Sequence, residues 1–404
     1  MAFSFAFDID AAELDNELAD STASLEQLDL AEGAAPAAST SAVPHREVPL
    51  DTLVRIFFLP GALATLPPLL SYTPVTVPLS PDEASKSRRA TLLRRDLFDA
   101  RFQVLNQDED LSTDEAASSG KGKQKEEVFV DEQSDLVKGV YEGGLKTWEC
   151  SLDLVDCLDQ RGYAVDTDLT TERVRGRGVL EVGCGTAVPS CALFARLLNE
   201  IRRSPTEPGS APPSKTRIHV QDYNKQVLSL ITLPNLLLTY AQHLATPTSA
   251  PDADEEPASS EPLPGELEVT PEFLESFETL LREENIELRF FEGDWSGMDA
   301  TVRGGSGAAA GDGPYDLVLT SETVYSVPSL EPLLDLLEAA TARPDGLCLV
   351  ACKRIYFGVG GGELEFRRRV EERGGEVETV WGAGEGKGKS VGVGRTVMRA
   401  QWRQ

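Results

Sequence analysis

An α/β fold with a parallel sheet covered on both faces is what this sequence predicts, on three observations. From about residue 135 onward, amphipathic helical stretches alternate with short apolar strands, the order that joins parallel strands through crossover helices. One of these strands, VLEV at 179–182, runs directly into Gly183-Cys184-Gly185 and then a helix. Two later β-runs end on acids, at Asp222 and Asp294, and a third ends at Ser321-Glu322. Polar chemistry would therefore collect beyond the carboxyl ends of the strands, where open α/β sheets bind ligands.

The elements follow in order. Residues 144–162 read as a helix with Trp148, Leu152, Val155 and Leu158 on one face. After the strand at 179–182 come a helix over 188–201, a strand at 216–223 and a helical run over 224–244 with Pro234 marking a kink. An amphipathic helix at 271–285 precedes a strand at 286–295, and the strand 315–325 precedes a helix over 328–346 closed by Gly346. A strand at 347–355, a helix at 363–375 and two β-runs at 376–382 and 394–402 complete the series. The last two runs are close enough to pair as a hairpin, adding an antiparallel edge to the sheet.

The N-terminal third differs in composition. Before Arg46 there are nine Asp or Glu and no Lys or Arg, so residues 1–45 read as a disordered acidic tail. Residues 46–130 read as an accessory segment and linker, and 131–404 as the main domain. Within the accessory segment, Leu93, Leu97, Phe98, Phe102 and Leu105 recur at helical spacing, which predicts a helix over 87–105 packed on the main domain. Three stretches rich in Pro, Gly, Ser or acid, at 202–215, 245–266 and 303–314, read as loop insertions.

Composition narrows the function. The 404 residues hold 38 Lys and Arg against 67 Asp and Glu, a formal charge of −29. That argues against direct nucleic-acid binding, which needs a basic face, and suits a basic partner. No uncharged apolar run reaches the ~18 residues of a membrane span, and no basic region precedes an apolar one at the N-terminus, so neither membrane nor secretion is expected. Cys150, Cys157, Cys184, Cys191, Cys348 and Cys352 form no Cys-x-x-Cys pair, and His45, His219 and His243 are scattered. No metal site is expected, and the thiols read as small buried hydrophobes. His219, inside a strand, and His243, in a helix tail, read as structural.

The chemistry sits at the strand ends. Gly-x-Gly alone is a weak signal. A dinucleotide site wants Gly or Ala three positions on, and that position is Val188. S-adenosylmethionine, which has no phosphate, is the other cofactor that such a loop takes. Asp222 would stand across the crevice and accept from both ribose hydroxyls; the alternative is a helix-capping acid. Asp294 and Trp295 would bound an adenine, or else form a turn with a core Trp. Ser321 and Glu322 would line the reaction mouth, or form part of a capping box.

In this order, GVYEGGLKTWECSLDL, VLEVGCGTAVPS, VQDYN, GDW and DLVLTSETVYS resemble the histidine protein methyltransferases. The likeness runs over roughly 135–404, and LLRRDLFDARFQ is similar to a segment upstream of the domain in fungal members. The resemblance implies a class I, Rossmann-like methyltransferase fold: a seven-stranded sheet with a C-terminal antiparallel hairpin. It implies S-adenosyl-L-methionine as cofactor. Trp148, Glu149, Cys150 and Ser151 would lie over it, and Gly183, Cys184 and Gly185 would carry its methionine part. Asp222, Tyr223 and Asn224 would hold the ribose and flank the adenine. Gly293, Asp294 and Trp295 would bound the adenine, with Ser321 and Glu322 at the mouth and Glu322 orienting the acceptor. The implied substrate is a histidine of a large-subunit ribosomal protein, methylated on the ring nitrogen remote from the backbone; apart from the resemblance, a monomer of the cytoplasm and/or nucleus is expected. A lysine methyltransferase of the same superfamily and a silent ribosomal-protein adaptor are the rival readings, with a nicotinamide-dependent oxidoreductase more distant. The chemistry needs no metal or triad, since a neutral imidazole, of pKa ~6.5, has a lone pair to offer.

Overall fold

The main sheet has eight strands in the order β1-β7-β5-β4-β8-β9-β11-β10. These are β1 (Arg46–Val48), β4 (Gly178–Val182), β5 (Thr216–Asp222), β7 (Ile286–Glu292), β8 (Leu317–Ser321), β9 (Leu347–Lys353), β10 (Gly375–Ala383) and β11 (Arg395–Trp402). The computed structural model describes residues 44–54, 69–81, 87–96, 144–163, 165, 172–206, 212–246, 262–302, 314–356, 360–383 and 394–402. The expected acidic tail up to residue 43, most of the linker and the centres of the three expected insertions lie outside those residues.

From β4 the chain winds outward through β5 to β7, then returns to the other side of β4 and winds through β8 to β9, all parallel. The winding therefore reverses between β4 and β8, and the crevice opens there. All five residues of β4 are buried, as expected of a strand covered on both faces. The terminal hairpin forms, but β11 inserts between β9 and β10, leaving β10 as the edge.

The helices are α1 (Leu50–Val54), α2 (Glu149–Leu158), α3 (Val188–Arg203), α4 (Lys225–Ala245), α5 (Pro271–Glu283), α6 (Trp295–Val302), α7 (Leu330–Ala340) and α8 (Glu363–Glu372). α4 is apolar and long enough to match a membrane span, yet 78% of that stretch is buried inside the molecule; it is a core helix. A π-helical segment, Leu228–Thr232, lies immediately before Pro234, so the helix accommodates the proline by widening the preceding turn. α7 stops at Ala340, short of Gly346, which instead closes a turn by donating to Ala342 O.

One expectation is extended and two are corrected. First, the seven expected strands are present and an eighth joins them at the edge. Arg46–Val48 pairs antiparallel with β7, and Arg289 clasps the Glu47 carboxylate at 2.8 and 2.5 Å, covering what would be an open edge. Second, the helix expected over 87–105 is a strand where it is described. β3 (Arg88–Arg95) pairs residue for residue with β2 (Leu69–Leu79) in an antiparallel sheet completed by β6 (Gly265–Glu268). Ala90 and Leu92 are buried and Arg89 exposed, the alternation of a strand, and an eight-residue ladder outweighs a local helical spacing. Leu97, Phe98, Phe102 and Leu105 lie outside the described residues. Third, Gly265 and Glu266, read as the end of an insertion, belong to β6.

α2 fastens the two antiparallel parts to the parallel sheet through carboxylates three residues apart. Asp159 takes Arg88 of β3 at 2.6 and 2.9 Å. Asp156 accepts from Ser80 N and Oγ at 2.7 and 2.8 Å and from Trp381 Nε1 at 2.6 Å. Asp153 takes Arg395 of β11 at 2.5 and 3.2 Å. The six cysteines are free and buried. His219 is buried between Tyr315 Oη, 2.9 Å from Nδ1, and Glu287 Oε1, 3.1 Å from Nε2, and His243 Nδ1 meets Arg202 at 2.6 Å; both occupy structural positions.

Candidate active site

The glycine loop turns sharply after β4. Gly183, Gly185 and Ala187 all have positive φ, at 61, 50 and 51°, a conformation glycine adopts at little cost. The closeness at the two glycines is to protein. A Cβ on Gly183 would stand 2.5 Å from Thr323 Cγ2, and one on Gly185 would stand 3.3 Å from Gly144 Cα. The segment before α2 is thus pressed on the loop, where Thr147 Oγ1 donates to Thr186 Oγ1 at 3.2 Å. The Cys184 side chain faces Thr232, so only its backbone lines the turn.

Gln221, absent from the sequence reading, ties the loop to the next strand ends. Its Oε1 accepts from Gly183 N at 3.2 Å and from Trp295 Nε1 at 3.0 Å, while its Nε2 donates to Gly293 O at 2.7 Å. Its main-chain oxygen takes Cys184 N. A fully buried Gln one residue before a strand-terminal Asp is the signal that could have found it, because buried amides keep partners.

Asp222 is buried at the end of β5. Its Oδ2 accepts from Gly185 N and its Oδ1 from Asn224 N, both at 3.0 Å. Both bonds pin the loop and the turn that leads into the next helix, and neither caps that helix; a carboxylate has lone-pair capacity beyond these two bonds. Asn224 is the N-cap residue of α4, and Tyr223 O accepts from Gly293 N. Asp294 Oδ1 accepts from Gly297 N, capping α6, and Trp295 is half-buried against the core. Gly293-Asp294-Trp295 thus forms a turn placed beside Asp222. Beneath the loop, Glu181 bonds Ser190 N at 2.9 Å, and burial pushes its pKa up to about 7.

The mouth is built from β8, β9 and the start of α2. Glu322 has φ 59°, rare for a side chain of its size. Its Oε2 accepts from Tyr356 Oη at 2.6 Å, and Tyr356 Oη in turn accepts from Lys353 N at 3.2 Å. Glu322 Oε1 is buried and accepts no hydrogen bond among the described residues; Lys353 Nζ is 3.7 Å from it. Burial, and then the Glu322 charge, raise both the Tyr356 phenol and the Cys150 thiol, so both keep their protons. Lys353 Nζ also lies 4.8 Å from the Trp148 ring centroid and 3.7 Å from Glu149 Oε2. Burial works against ionising Glu149, but its own backbone N–H and the charge of Lys353 bring its pKa below the usual value. Ser151 Oγ is spent on Trp148 O at 2.7 Å, holding the helix start. Ser321 ends β8, opposite Ala351.

The structure thus brings Trp148, Glu149, Cys150 and Glu322 together around Lys353. Asp222 and Gly293-Asp294-Trp295 gather around Gln221. Beside a tight glycine turn the crevice thus offers two carboxylates, Asp222 at the second strand end and Glu322 at the fourth, with Lys353 Nζ 3.7 Å from the latter; acceptors of this kind suit the hydroxyls of a nucleoside.

No family model matches the chain. It is 36% identical over 283 residues to histidine protein methyltransferase 1 of Schizosaccharomyces pombe, covering 70% of this chain and 69% of that protein. It is 33% identical over 294 residues to histidine protein methyltransferase 1 of Saccharomyces cerevisiae, covering 70% of each. To the histidine protein methyltransferase 1 homolog of Bos taurus it is 33% identical over 244 residues, covering 59% of this chain and 51% of that one.

Proposed function

The chain belongs to the histidine protein methyltransferase family, and from that premise we propose that it methylates the ring nitrogen remote from the backbone, on a histidine of a basic large-subunit ribosomal protein. It is an S-adenosylmethionine-dependent protein-histidine methyltransferase. The observation that supports the choice of nitrogen is the carboxylate of Glu322, with one oxygen held by Tyr356 and the other 3.7 Å from Lys353 Nζ and, among the described residues, accepting no hydrogen bond.

Gly183, Cys184 and Gly185 would hold the methionine part of the cofactor, Asp222 the ribose, and Asp294 with Trp295 the adenine. When bound, the cofactor supplies a methyl group already activated on a sulfonium. Glu322 Oε1 would accept the Nδ1–H of the incoming imidazole, which leaves the lone pair on Nε2. The enzyme's work is then alignment rather than deprotonation. The positive charge that forms on the ring is stabilised by the same carboxylate. The basic substrate is favoured by the −29 charge of the chain, an attraction that weakens with salt.

Labelled methyl transfer to a ribosomal protein fraction, followed by amino-acid analysis, tests the reading. Label in methylhistidine carrying the methyl on the remote nitrogen is the expected result. Label in the other methylhistidine isomer would overturn the nitrogen assignment, and no labelled ribosomal protein would overturn the substrate.

A further inference from the structure

The amino-acid end of the cofactor carries a carboxylate, and a site for it needs donors that are still to be satisfied. Among the described residues, the amides of Gly183, Cys184, Gly185 and Ala187 do not supply them. The amides of Gly183, Cys184 and Gly185 donate to Gln221 Oε1, Gln221 O and Asp222 Oδ2, and that of Ala187 to Cys184 O. All four bonds run back into the protein.

Arg94 stands beside this loop. It lies on β3, opposite Thr73 of β2, outside the parallel sheet. Its Nη1 is 3.4 Å from Thr147 Oγ1, the hydroxyl that bonds Thr186 of the loop. Thr147 belongs to the same segment as Gly144, whose backbone is pressed on Gly185. Among the described residues, the buried Arg94 Nε has no hydrogen-bond partner and no carboxylate pairs with the guanidinium. Its strand neighbours are engaged elsewhere: Arg88 holds Asp159, and Arg95 Nη1 donates to Leu230 O in the core. A guanidinium is always charged and presents its donors as a planar fork matched to a carboxylate. A buried donor without a partner is a group that a ligand can satisfy.

We propose that Arg94 binds the carboxylate of the cofactor's methionine end, so that the antiparallel sheet contributes a ligand contact and not packing alone. The proposal rests on the crevice being the cofactor site. Arg94 would act on binding and placement, with no part in the methyl transfer.

Calorimetric titration of the full chain with two ligands tests it. S-adenosylhomocysteine carries the amino-acid end, and 5′-methylthioadenosine has the same nucleoside and sulfur without it. Arg94→Gln is expected to weaken S-adenosylhomocysteine about tenfold or more and to leave methylthioadenosine within about twofold. Arg94→Lys, which keeps a charge but loses the fork, should show a smaller loss confined to the same ligand. It serves as the readout should the Gln variant not fold. Equal loss of both ligands, or loss of neither, would overturn the assignment. Failure of the unmutated chain to bind either ligand would instead overturn the reading of the crevice.

Discussion

The phenol of Tyr356 donates a 2.6 Å hydrogen bond to Glu322 Oε2 across the gap between two strand ends, and it fixes a carboxylate whose other oxygen, 3.7 Å from Lys353 Nζ, accepts no hydrogen bond among the described residues. Tyr356 is thereby a positioning residue for Glu322. Tyr356→Phe keeps the ring and removes the donor. A hydrogen bond to a charged group is worth ~1.5–3 kcal/mol, so kcat should fall about 10- to 100-fold. S-adenosylhomocysteine affinity and substrate KM should stay near their original values. Steady-state kinetics beside calorimetry separates this from a structural effect, and an unchanged kcat would remove the role.

Gln221 joins Gly183, Gly293 and Trp295 with one side-chain amide. Gln221→Leu leaves two donors and a carbonyl unpaired, and such losses cost ~1–3 kcal/mol each before relaxation. A drop of about 3 kcal/mol in denaturant unfolding is expected, with weaker cofactor binding. A variant as stable as the original would show that water replaces the amide.

Gly183→Ala meets two obstacles, a φ of 61° and Thr323 Cγ2 at 2.5 Å. The first is intrinsic to the backbone and the second to one methyl group. Thr323→Ser deletes that methyl while keeping the hydroxyl that meets Thr320 Oγ1 at 2.7 Å. The single variant should lose ~1–3 kcal/mol of stability, and the double variant should regain part of it. Additive losses in a double-mutant cycle would refute the clash.

Glu287 is held at about pKa 2, first by its hydrogen bond with His219 and then by Lys215. The depressed value lies in the folded state. Its contribution is therefore complete above the ordinary value of 4.5 and is lost as pH falls from there through about 2. Glu287→Gln should flatten the pH dependence of unfolding in that window and leave the slope above it unchanged. A profile unaltered between pH 4.5 and 2 would count against the pair.

The parallel half of the molecule was legible because its strands are buried on both faces and its helices carry one apolar stripe. VLEV followed by Gly183 and Gly185 was legible as a buried strand running into a tight turn. Asp222 was readable as an acid at the second strand end, but its bonds to Gly185 and Asn224 depend on how two loops meet. Arg88–Arg95 was misread because its ladder partner, Leu69–Leu79, is identified by tertiary pairing and not by local pattern. Gln221, Lys353 and Tyr356 escaped notice for a related reason. Each is an ordinary residue near a strand end, and each gains its role from neighbours more than 30 residues away, such as Trp295 for Gln221 and Glu322 for Tyr356.

The carboxylate ladder on α2 has a consequence for engineering. Asp153, Asp156 and Asp159 secure β11, the Ser80–Trp381 pair and β3 to the very helix that begins with Glu149 and Cys150. Both antiparallel appendages are thus tied to a single rod whose other end carries Glu149 and Cys150. Fusion partners or trimming placed near those appendages will alter turnover even when every substrate-facing residue is intact.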